Sequence, residues 1–514
     1  MAFEDKGGKE EKRIPGMENV VRVGNELFTL LFIYACYRVS GGTATLALNG
    51  RCGIGKTTTV NSFVNFWVQK LGLNPQTDVL EWNPMEYVGK DIEEELTVVR
   101  DGKKVPKYKV MYIVHDLATI KPEDMFGVPW IIKGKYVLFM PPAEFFAASF
   151  IPLLIVYYDD FQNADIISRR QLFEFIRVGR MGTVQVKNLV PIIAFNPQNE
   201  DPALASAEIP PALWDRMIVV NVAPPDLTDW LEARKKKFKP EMNEKILEII
   251  KFVNPFDKSS RQEQIKELIE KENLLVEGFL RAYVEHFMKP MEFVKRRARE
   301  IGNYPSKGTF PTPRSWREAE KLLNVLSLNP LFGEDYLKAV KLFSEDESLK
   351  RILLCLLSGL LSADVAVEFV EQLDGAFKFD VYKFMDTGDL KYAPTWKDGK
   401  FTHYVFVDCL LAACNIKDPT TIRDWSFLRE LLLMYLNPPE NLEAESEGKW
   451  TPGDAKEFAQ AIIMLMEKYF PEVYNEFRGW LSTADPKLHY TLFKEAMKKE
   501  LELRTLGGKK GGTP

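Results

Sequence analysis

Short apolar runs alternate with helical patterns over roughly the first 225 residues. The runs are four to eight residues long and lie at 109–114, 153–158, 190–195 and 218–222. Buried strands of this length, separated by helices, are typical of a parallel sheet that is covered on both faces. The pattern therefore predicts an α/β core built on a parallel sheet.

The pattern changes after Pro224-Pro225, where strand-like runs become rare and helical periodicity takes over. Within the helical part, 352–372 is predicted as one helical stretch and 396–406 as a short strand or turn. The predicted domains are a flexible arm at 1–20, the α/β core at 21–225, a helical domain at 226–372, a mostly helical C-terminal domain at 373–503 and a disordered tail at 504–514.

Composition narrows the class of protein without indicating a function. The 514 residues carry 68 basic and 73 acidic side chains, a formal net charge of −5, which does not indicate a strongly basic nucleic-acid binder. The five cysteines are scattered without a CxxC pair and there are four histidines, which argues against a disulfide scaffold or a zinc ribbon. The first residues lack the apolar core of a signal peptide, and charged residues or proline interrupt the longest apolar runs. We expect a cytoplasmic protein without a membrane partner.

The strongest motif is Gly50-Arg-Cys-Gly-Ile-Gly55-Lys56-Thr57, which fits the phosphate-binding pattern GxxxxGK[ST]. It follows a predicted strand at 43–48 and opens a predicted helix at 56–71, the context that the motif requires. Glycines let backbone N–H groups close around phosphate oxygens, and a helix N-terminus favours negative charge. A chance match in a glycine-bearing turn is the alternative. The predicted ATP-binding residues are Gly50, Gly53, Ile54, Gly55, Lys56, Thr57 and Thr58.

An acidic element at the tip of a buried strand is expected to accompany a P-loop. The apolar run 153–158 ends in Asp159-Asp160 and meets this expectation. Thr57 and Asp159 would hold Mg²⁺, Asp159 through water. Asp160 would be the base that polarises the attacking water. A strand that ends in a solvated acidic turn is the alternative.

Two further polar residues lie beside predicted strands. Asn196 follows the run 190–195, which would place it at a neighbouring strand tip beside the γ-phosphate. Arg216 precedes the run 218–222, a position that suits an arginine projecting towards the next subunit. For each residue alone, a turn-capping Asn or a surface Arg explains the position equally well.

The order of these motifs resembles that of AAA+ ATPases and, among them, the MoxR-like branch. The resemblance extends over about 41–372. It rests on the P-loop and on the segments Lys121-Pro-Glu-Asp-Met-Phe-Gly127-Val-Pro129, Asp159-Asp-Phe-Gln-Asn-Ala164, Ile193-Ala-Phe-Asn196-Pro, Leu213-Trp-Asp-Arg216-Met and Phe310-Pro-Thr-Pro-Arg314-Ser-Trp316. It implies a P-loop NTPase core of the AAA+ type, with a helical lid and an additional C-terminal helical region.

The resemblance also implies roles for individual residues. Asn196 falls at the family's sensor 1, which helps to position the attacking water. Arg216 matches the arginine finger, which acts in trans on ATP bound by a neighbouring subunit, and Arg314 falls at sensor 2 on the lid. Arginine suits both tasks because its planar guanidinium contacts phosphate bidentately and stays charged. A finger that acts in trans implies a ring, with a homohexamer as the expected form.

The chain departs from the family at the acidic motif. Asp159-Asp160 replaces the usual Asp-Glu, and an aspartate at position 160 is one methylene shorter, so it reaches an attacking water less well. Gln162-Asn163 replaces the usual Asn-Arg and removes a basic residue near the subunit interface. These differences favour ATP binding with slow, switch-like turnover.

Two inserts match positions at which the family carries hairpins. Residues 128–140 are predicted as two short strands, and 179–186 lie just before the sensor 1 strand. Because such hairpins face the central pore in related rings, Trp130, Tyr136 and Met181 are candidates for contact with a client protein. Packing of these side chains inside the protein is an equal alternative.

The leading hypothesis is a MoxR-like AAA+ ring that hydrolyses ATP with Mg²⁺ and remodels or activates a protein partner. The resemblance suggests a von Willebrand A domain protein as one kind of client. A nucleic-acid-directed AAA+ motor is the first alternative. It would need basic surfaces, but acidic residues lie close to the basic clusters 234–237 and 295–299 and disfavour this hypothesis. The second alternative is a structural assembly protein that binds nucleotide with slow hydrolysis or none.

Overall fold

The chain divides into two compact units. The first contains 1–273 and 285–370, and the second contains 274–284 and 371–514. The short segment 274–284 interrupts the sequence of the first unit and belongs with the C-terminal helices. The domain boundaries predicted from the sequence stay predictions. The computed structural model describes residues 20–120, 127–132, 136–164, 166–181, 183–196, 214–234, 240–257, 261–271, 273–283, 311–326, 346–376, 379–440, 442 and 450–494.

A parallel sheet forms the centre of the first unit. The strands are β1 (Val20–Arg22), β2 (Thr45–Asn49), β3 (Val79–Glu81), β4 (Thr97–Arg100), β5 (Lys103–Pro106), β6 (Val110–Asp116), β7 (Val128–Ile132), β8 (Tyr136–Met140), β9 (Leu153–Asp159), β10 (Arg180–Met181), β11 (Val184–Gln185), β12 (Leu189–Phe195) and β13 (Met217–Ala223). Seven of them form one sheet in the order β1-β13-β2-β12-β9-β6-β3, and every pair is parallel. All four apolar runs predicted as strands lie in this sheet, which confirms the α/β core.

Helices connect these strands and form the C-terminal part of the chain. They are α1 (Asn25–Val39), α2 (Lys56–Lys70), α3 (Pro75–Asp78), α4 (Ile92–Leu96), α5 (Ala143–Ala148), α6 (Ile166–Val178), α7 (Leu227–Arg234), α8 (Glu244–Phe252), α9 (Arg261–Ile269), α10 (Leu274–Ala282), α11 (Pro313–Leu326), α12 (Glu347–Leu360), α13 (Ala363–Ala376), α14 (Val381–Thr387), α15 (Lys400–Ile416), α16 (Ser426–Leu436), α17 (Pro452–Tyr469) and α18 (Pro471–Ala484). The P-loop lies between β2 and α2, as predicted. The fold is a P-loop α/β core followed by helices, as the sequence indicates.

Two predicted elements differ from the structure. The stretch 352–372 is two helices, α12 and α13, interrupted at Ser362, whose φ is 152°. The prediction of a strand or turn over 396–406 is confirmed only for a turn at its start, and its remainder is wrong, because α15 begins at Lys400. Phe, Val and Tyr residues in this segment favour strands locally, but Phe401, Val405 and Phe406 are buried among other helices, and that packing stabilises the helix.

Helices cover both faces of the central sheet. Leu154, Val156 and Tyr158 of β9 belong to a buried cluster that includes Phe145 of α5 and Phe175 of α6. The Phe145 and Phe175 ring centroids are 4.5 Å apart. Successive side chains of a strand point to opposite faces, so Tyr157 points the other way, towards α2, which packs against β9. The carboxyl ends of the strands consequently meet the start of α2 at one edge of the sheet.

Three antiparallel pairs lie outside the central sheet: β4–β5, β7–β8 and β10–β11. The β7–β8 pair confirms the two short strands predicted at 128–140. The Met181 side chain of β10 is buried, as expected for the alternative in which it packs inside the protein; this small hairpin lies close to α6 and turns that apolar side chain inward. The side chains of Trp130 and Tyr136 lie outside the described residues. No helix in the described part of the chain has the length and apolar character needed to span a membrane.

The C-terminal unit buries two ionisable side chains on α15. The His403 Nε2 lies 2.9 Å from the Thr395 carbonyl oxygen, which can only accept, so Nε2 carries the proton and Nδ1 accepts from the Tyr435 hydroxyl. Burial lowers the pKa of His403 to about 4. Asp408 lies on the same helix, and the Arg281 Nη1 of α10 is 3.8 Å from its Oδ1. Burial raises the pKa of Asp408 to about 8, against the opposing effect of Arg281.

Candidate functional site

The P-loop has the backbone shape that its glycines permit. A Cβ at Gly50 would lie 2.7 Å from the Val222 carbonyl oxygen and 2.9 Å from the Ile54 Cδ1, so this position has room for glycine only. Gly53 and Gly55 have φ angles of 77° and 99°, in the left-handed region that strains other residues. The loop thus ends where α2 begins, and the first N–H groups of α2 point out of its N-terminus.

The Lys56 side chain folds back over the P-loop. Its Nζ donates to the Gly50 carbonyl oxygen, to the Arg51 carbonyl oxygen at 3.0 Å and to the Asn196 Oδ1 at 3.2 Å. The ammonium group is buried, and carbonyl and amide oxygens surround it. β12 lies next to β2 in the sheet with Phe195 paired to Asn49, which brings Asn196 beside the loop. The structure thus places the two predicted residues Lys56 and Asn196 together.

Thr57 and Asp159, the predicted metal-binding pair, are in direct contact. The Thr57 Oγ1 donates to the Asp159 Oδ2 at 2.7 Å. Since that hydroxyl has one proton, the Tyr157 hydroxyl at 3.3 Å donates to the Thr57 oxygen. Burial raises the pKa of Tyr157, which keeps the phenol protonated as a donor. Asp159 and Tyr157 are two residues apart on β9, so both point to the face that α2 covers.

Asp160 follows at the tip of β9 with a left-handed backbone, φ 52°. This turn directs its carboxylate towards Asn196, whose Nδ2 lies 3.4 Å from the Asp160 Oδ1. The Gln162 Nε2 donates to the same oxygen at 3.1 Å. The Asp160 backbone N–H donates to the Asp159 Oδ1 at 3.0 Å. The three strand-tip residues are therefore linked to each other and, through Asn196, to Lys56.

Sequence reasoning does not identify two residues of this site, Tyr157 and Gln162. Tyr157 precedes Asp159 by two positions, and the alternation of side chains along a strand is a signal that could have identified it. Gln162 was noted only as a departure from the family pattern. Its bond to Asp160 depends on a short 3₁₀ turn, Phe161–Asn163, and a short polar turn carries no periodic signal.

The two predicted arginines are both among the described residues, and one of them has an ion pair. Arg314, at the start of α11, pairs through its Nη1 with the Asp215 Oδ2 at 2.9 Å. Asp215 also accepts from the Thr312 Oγ1 at 2.6 Å. Arg216 is half-buried just before β13, and its Nε has no hydrogen-bond partner within the described part of the chain. The structure therefore joins Arg314 to Asp215, the residue that precedes Arg216 in the sequence.

The donor set suits a nucleotide with Mg²⁺. Mg²⁺ prefers a few oxygen ligands, with water and phosphate oxygens completing its shell. The Thr57 hydroxyl and the Asp159 carboxylate supply oxygens 2.7 Å apart next to the phosphate-binding loop. No cluster of three or more His, Cys, Asp or Glu side chains suited to a metal occurs in the residues that the structure describes. Water and phosphate oxygens would complete the metal shell.

Comparison with known proteins gives structural neighbours of low similarity. No family model matches the chain, and no curated protein matches it. A crystal structure of a candidate ATPase from Cytophaga hutchinsonii is 12% identical, with 69% of this chain and 90% of that chain covered and a TM-score of 0.35. NtrX from Brucella abortus, in complex with ATP, is 14% identical, with 68% and 69% covered and a TM-score of 0.21. Similarity at this level carries no functional assignment for this chain.

Proposed function

We propose that this chain is a MoxR-like AAA+ ATPase that binds and hydrolyses ATP with Mg²⁺ as a ring and remodels or activates a protein partner. The observation that carries the proposal is the convergence of the P-loop lysine, the Thr57–Asp159 pair and Asp160 at one edge of the sheet. Together with Asn196, these groups come from three separate segments, and the hydrogen bonds that join them support a role in ATP hydrolysis.

Each residue at this edge has a defined task. Lys56 neutralises negative charge on the β- and γ-phosphates, while the backbone N–H groups of the P-loop bind their oxygens. Thr57 and Asp159 would hold Mg²⁺, which would supply positive charge to the phosphate oxygens. Asp160 accepts a proton as the water oxygen bonds to the γ-phosphorus. The bond from that phosphorus to the β–γ bridging oxygen breaks, and ADP and phosphate leave.

The ring is proposed on the position of Arg216. Arg216 as a residue is partly exposed, while its Nε is buried without a partner among the described residues, so only the outer end of the side chain could reach a neighbouring subunit. An arginine supplied by a neighbour stabilises charge that develops in the transition state. Hydrolysis would then depend on assembly, which suits a machine that acts on a client only as a ring.

The experiment measures nucleotide binding and steady-state ATP hydrolysis by the full chain with Mg²⁺, over a range of protein concentrations. We expect Lys56→Ala to lose binding, and Arg216→Ala to keep binding but lose turnover. Mixing the two variants should restore part of the turnover, because a Lys56→Ala subunit still offers Arg216 to its neighbour. Arg423→Ala, an exposed arginine of the C-terminal unit, is the control.

Three outcomes separate the proposal from its alternatives. Turnover by Arg216→Ala at the wild-type rate would contradict the finger in trans. Stimulation of turnover by long DNA would favour the nucleic-acid-directed motor. ATP binding in assembled rings without turnover would favour the structural assembly protein, which the short Asp160 side chain keeps as the second candidate.

A further inference from the structure

The Gln162 side chain bridges the tips of two strands. Its Nε2 donates to the Asp160 Oδ1 at 3.1 Å, at the end of β9. Its Oε1 accepts from the Asn196 backbone N–H at 3.3 Å, at the end of β12. Since both ends of the amide are engaged, only one of its two flipped orientations satisfies both contacts. The amide is therefore held in one orientation.

The turn that carries Gln162 is itself braced. The Arg169 Nη2 donates to the Gln162 carbonyl oxygen at 2.9 Å, and the Arg169 Nε donates to the Ala164 carbonyl oxygen at 2.9 Å. Arg169 and Phe161 are both buried. The Asn163 backbone N–H donates to the Asp160 carbonyl oxygen at 2.8 Å. A turn held at this many points keeps the Gln162 amide in place before substrate binds.

These contacts engage the two oxygens of Asp160 differently. Oδ1 receives the amide N–H groups of Gln162 and Asn196. Oδ2 accepts no hydrogen bond from the described residues. A carboxylate that is held through one oxygen presents the other in a fixed direction, which is the requirement for a base that removes a proton from a positioned water.

We propose that Gln162 is a positioning residue that orients Asp160 for proton removal in ATP hydrolysis, a proposal that rests on the function proposed above. Asp160 is one methylene shorter than the usual glutamate, so its carboxylate tolerates less rotation before it loses the water. Gln162 compensates by fixing the carboxylate through Oδ1, and it couples that orientation to the β12 tip, where Asn196 contacts Lys56.

The test uses two substitutions of Gln162 and one neighbouring control in the full chain. Gln162→Met keeps the length of the side chain and removes both hydrogen-bonding atoms. Gln162→Glu keeps an acceptor for the Asn196 N–H and removes the donor to Asp160. Asn163→Ala alters the exposed next residue of the same turn and should leave all values unchanged. For each, kcat, KM, affinity for a fluorescent ATP analogue and the thermal unfolding midpoint are measured.

We expect both Gln162 variants to lose about tenfold to a hundredfold in kcat, the effect of one hydrogen bond to a charged group. KM and analogue affinity should stay within about twofold, because the base does not hold the nucleotide. As the pH is lowered from about 8 to about 5.5, Gln162→Glu should recover turnover relative to wild type, because the adjacent Asp160 carboxylate favours protonation of the introduced carboxyl group, which can then donate again. Gln162→Met should not recover.

Other outcomes overturn the proposal and are distinguishable from each other. If the wild type hydrolyses ATP and Gln162→Met has the same kcat, the positioning role is overturned and the proposed ATPase activity stands. A parallel loss of kcat, analogue affinity and thermal stability would assign Gln162 a structural role only. Absence of turnover in the wild type would overturn both this proposal and the hydrolysis proposed above.

Discussion

Asp160 and Asp408 are two aspartates in opposite environments. Asp160 is half-buried at a strand tip, and two amide groups donate to one of its oxygens. Asp408 is fully buried in the middle of a helix, where Arg281 approaches to 3.8 Å and neither carboxylate oxygen has a hydrogen-bond partner within the described residues. Oriented donors and contact with water suit a carboxylate that reacts. Burial without donors instead favours the protonated, uncharged form.

The same contrast applies to the positive charges. The Lys56 ammonium is buried among carbonyl and amide oxygens that stabilise its charge. Arg281 divides its contacts in the C-terminal unit between Glu277 and Asp408. The comparison predicts that substitutions at the P-loop edge change chemistry with little effect on folding. Substitutions around α15 should change stability, in a way that depends on pH.

The largest effect is expected for Asp160→Asn. The amide keeps the shape and an acceptor for Gln162 and Asn196 but cannot take a proton from water. We expect turnover to fall by about 10²–10⁴-fold with ATP affinity unchanged, measured by steady-state hydrolysis and equilibrium binding. Asp116→Asn, an exposed aspartate at the tip of β6 in register with Asp159, is the matched control. Equal losses in the two variants would contradict a base at position 160.

Thr57→Val should have the next largest effect. Valine fills the same volume but lacks the hydroxyl that contacts the Asp159 Oδ2. We expect the Mg²⁺ concentration for half-maximal turnover to rise by about tenfold or more, read from a magnesium titration of the ATPase rate. Thr119→Val, a threonine whose hydroxyl bonds only the Asp116 carbonyl oxygen, should not change the titration. An unchanged titration for Thr57→Val would remove this residue from the metal site.

A smaller effect, on stability, is expected for Asp408→Asn. The pKa of Asp408 is about 8 in the folded chain and ordinarily about 3.9, so the folded state binds more protons between these values. Wild-type stability therefore decreases as pH rises through this window, and Asp408→Asn removes that component. We compare the free energies of unfolding of the variant and the wild type, measured by thermal unfolding. We expect their difference to shift in favour of the variant by about 1–3 kcal/mol between pH 5 and pH 8. The same difference at both pH values would contradict a buried, protonated Asp408.

The smallest effect is expected for His403→Gln, with the opposite sign. The pKa of His403 is about 4 in the folded chain and ordinarily about 6.5, so the unfolded chain binds more protons between these values. The contribution of the neutral, buried histidine to the free energy of unfolding is present above pH 6.5 and is lost as pH falls towards 4. We expect the free energy of unfolding to fall by about 1 kcal/mol less in the variant than in the wild type over this pH range, measured by thermal unfolding. His489→Gln, a less buried histidine, is the control, and equal slopes in wild type and His403→Gln would refute the prediction.

Much of the core could be predicted from sequence because its signals are local. The P-loop and the helix that it opens, Lys56–Lys70, depend on neighbouring residues, so their positions follow from glycine placement and apolar periodicity. The strand tips Asp159, Asp160 and Asn196 follow from where buried runs end. The strands Val20–Arg22 and Val79–Glu81 were missed because three residues carry no measurable pattern.

The hydrogen-bond pattern of the site depended on tertiary structure. Lys56 and Asn196 are 140 positions apart, and only the pairing of β2 with β12 makes them neighbours. Gln162 joins Asp160 to Asn196 because a 3₁₀ turn directs its amide across two strand tips, which no spacing rule encodes. Arg314 and Asp215 meet across 99 positions.

The sequence by itself determined the kind of elements, the phosphate-binding loop and the residue types at the sheet edge, because these depend on contacts within a few residues along the chain. Only the tertiary structure decided that 396–406 contributes to a helix, that Met181 is buried and that Asp408 has a raised pKa. Burial depends on which distant elements pack together, and such contacts are specified by the whole chain. Those contacts set the environment of each aspartate: they leave Asp160 partly exposed with oriented donors, as the proposed base requires, and they favour the protonated form of Asp408.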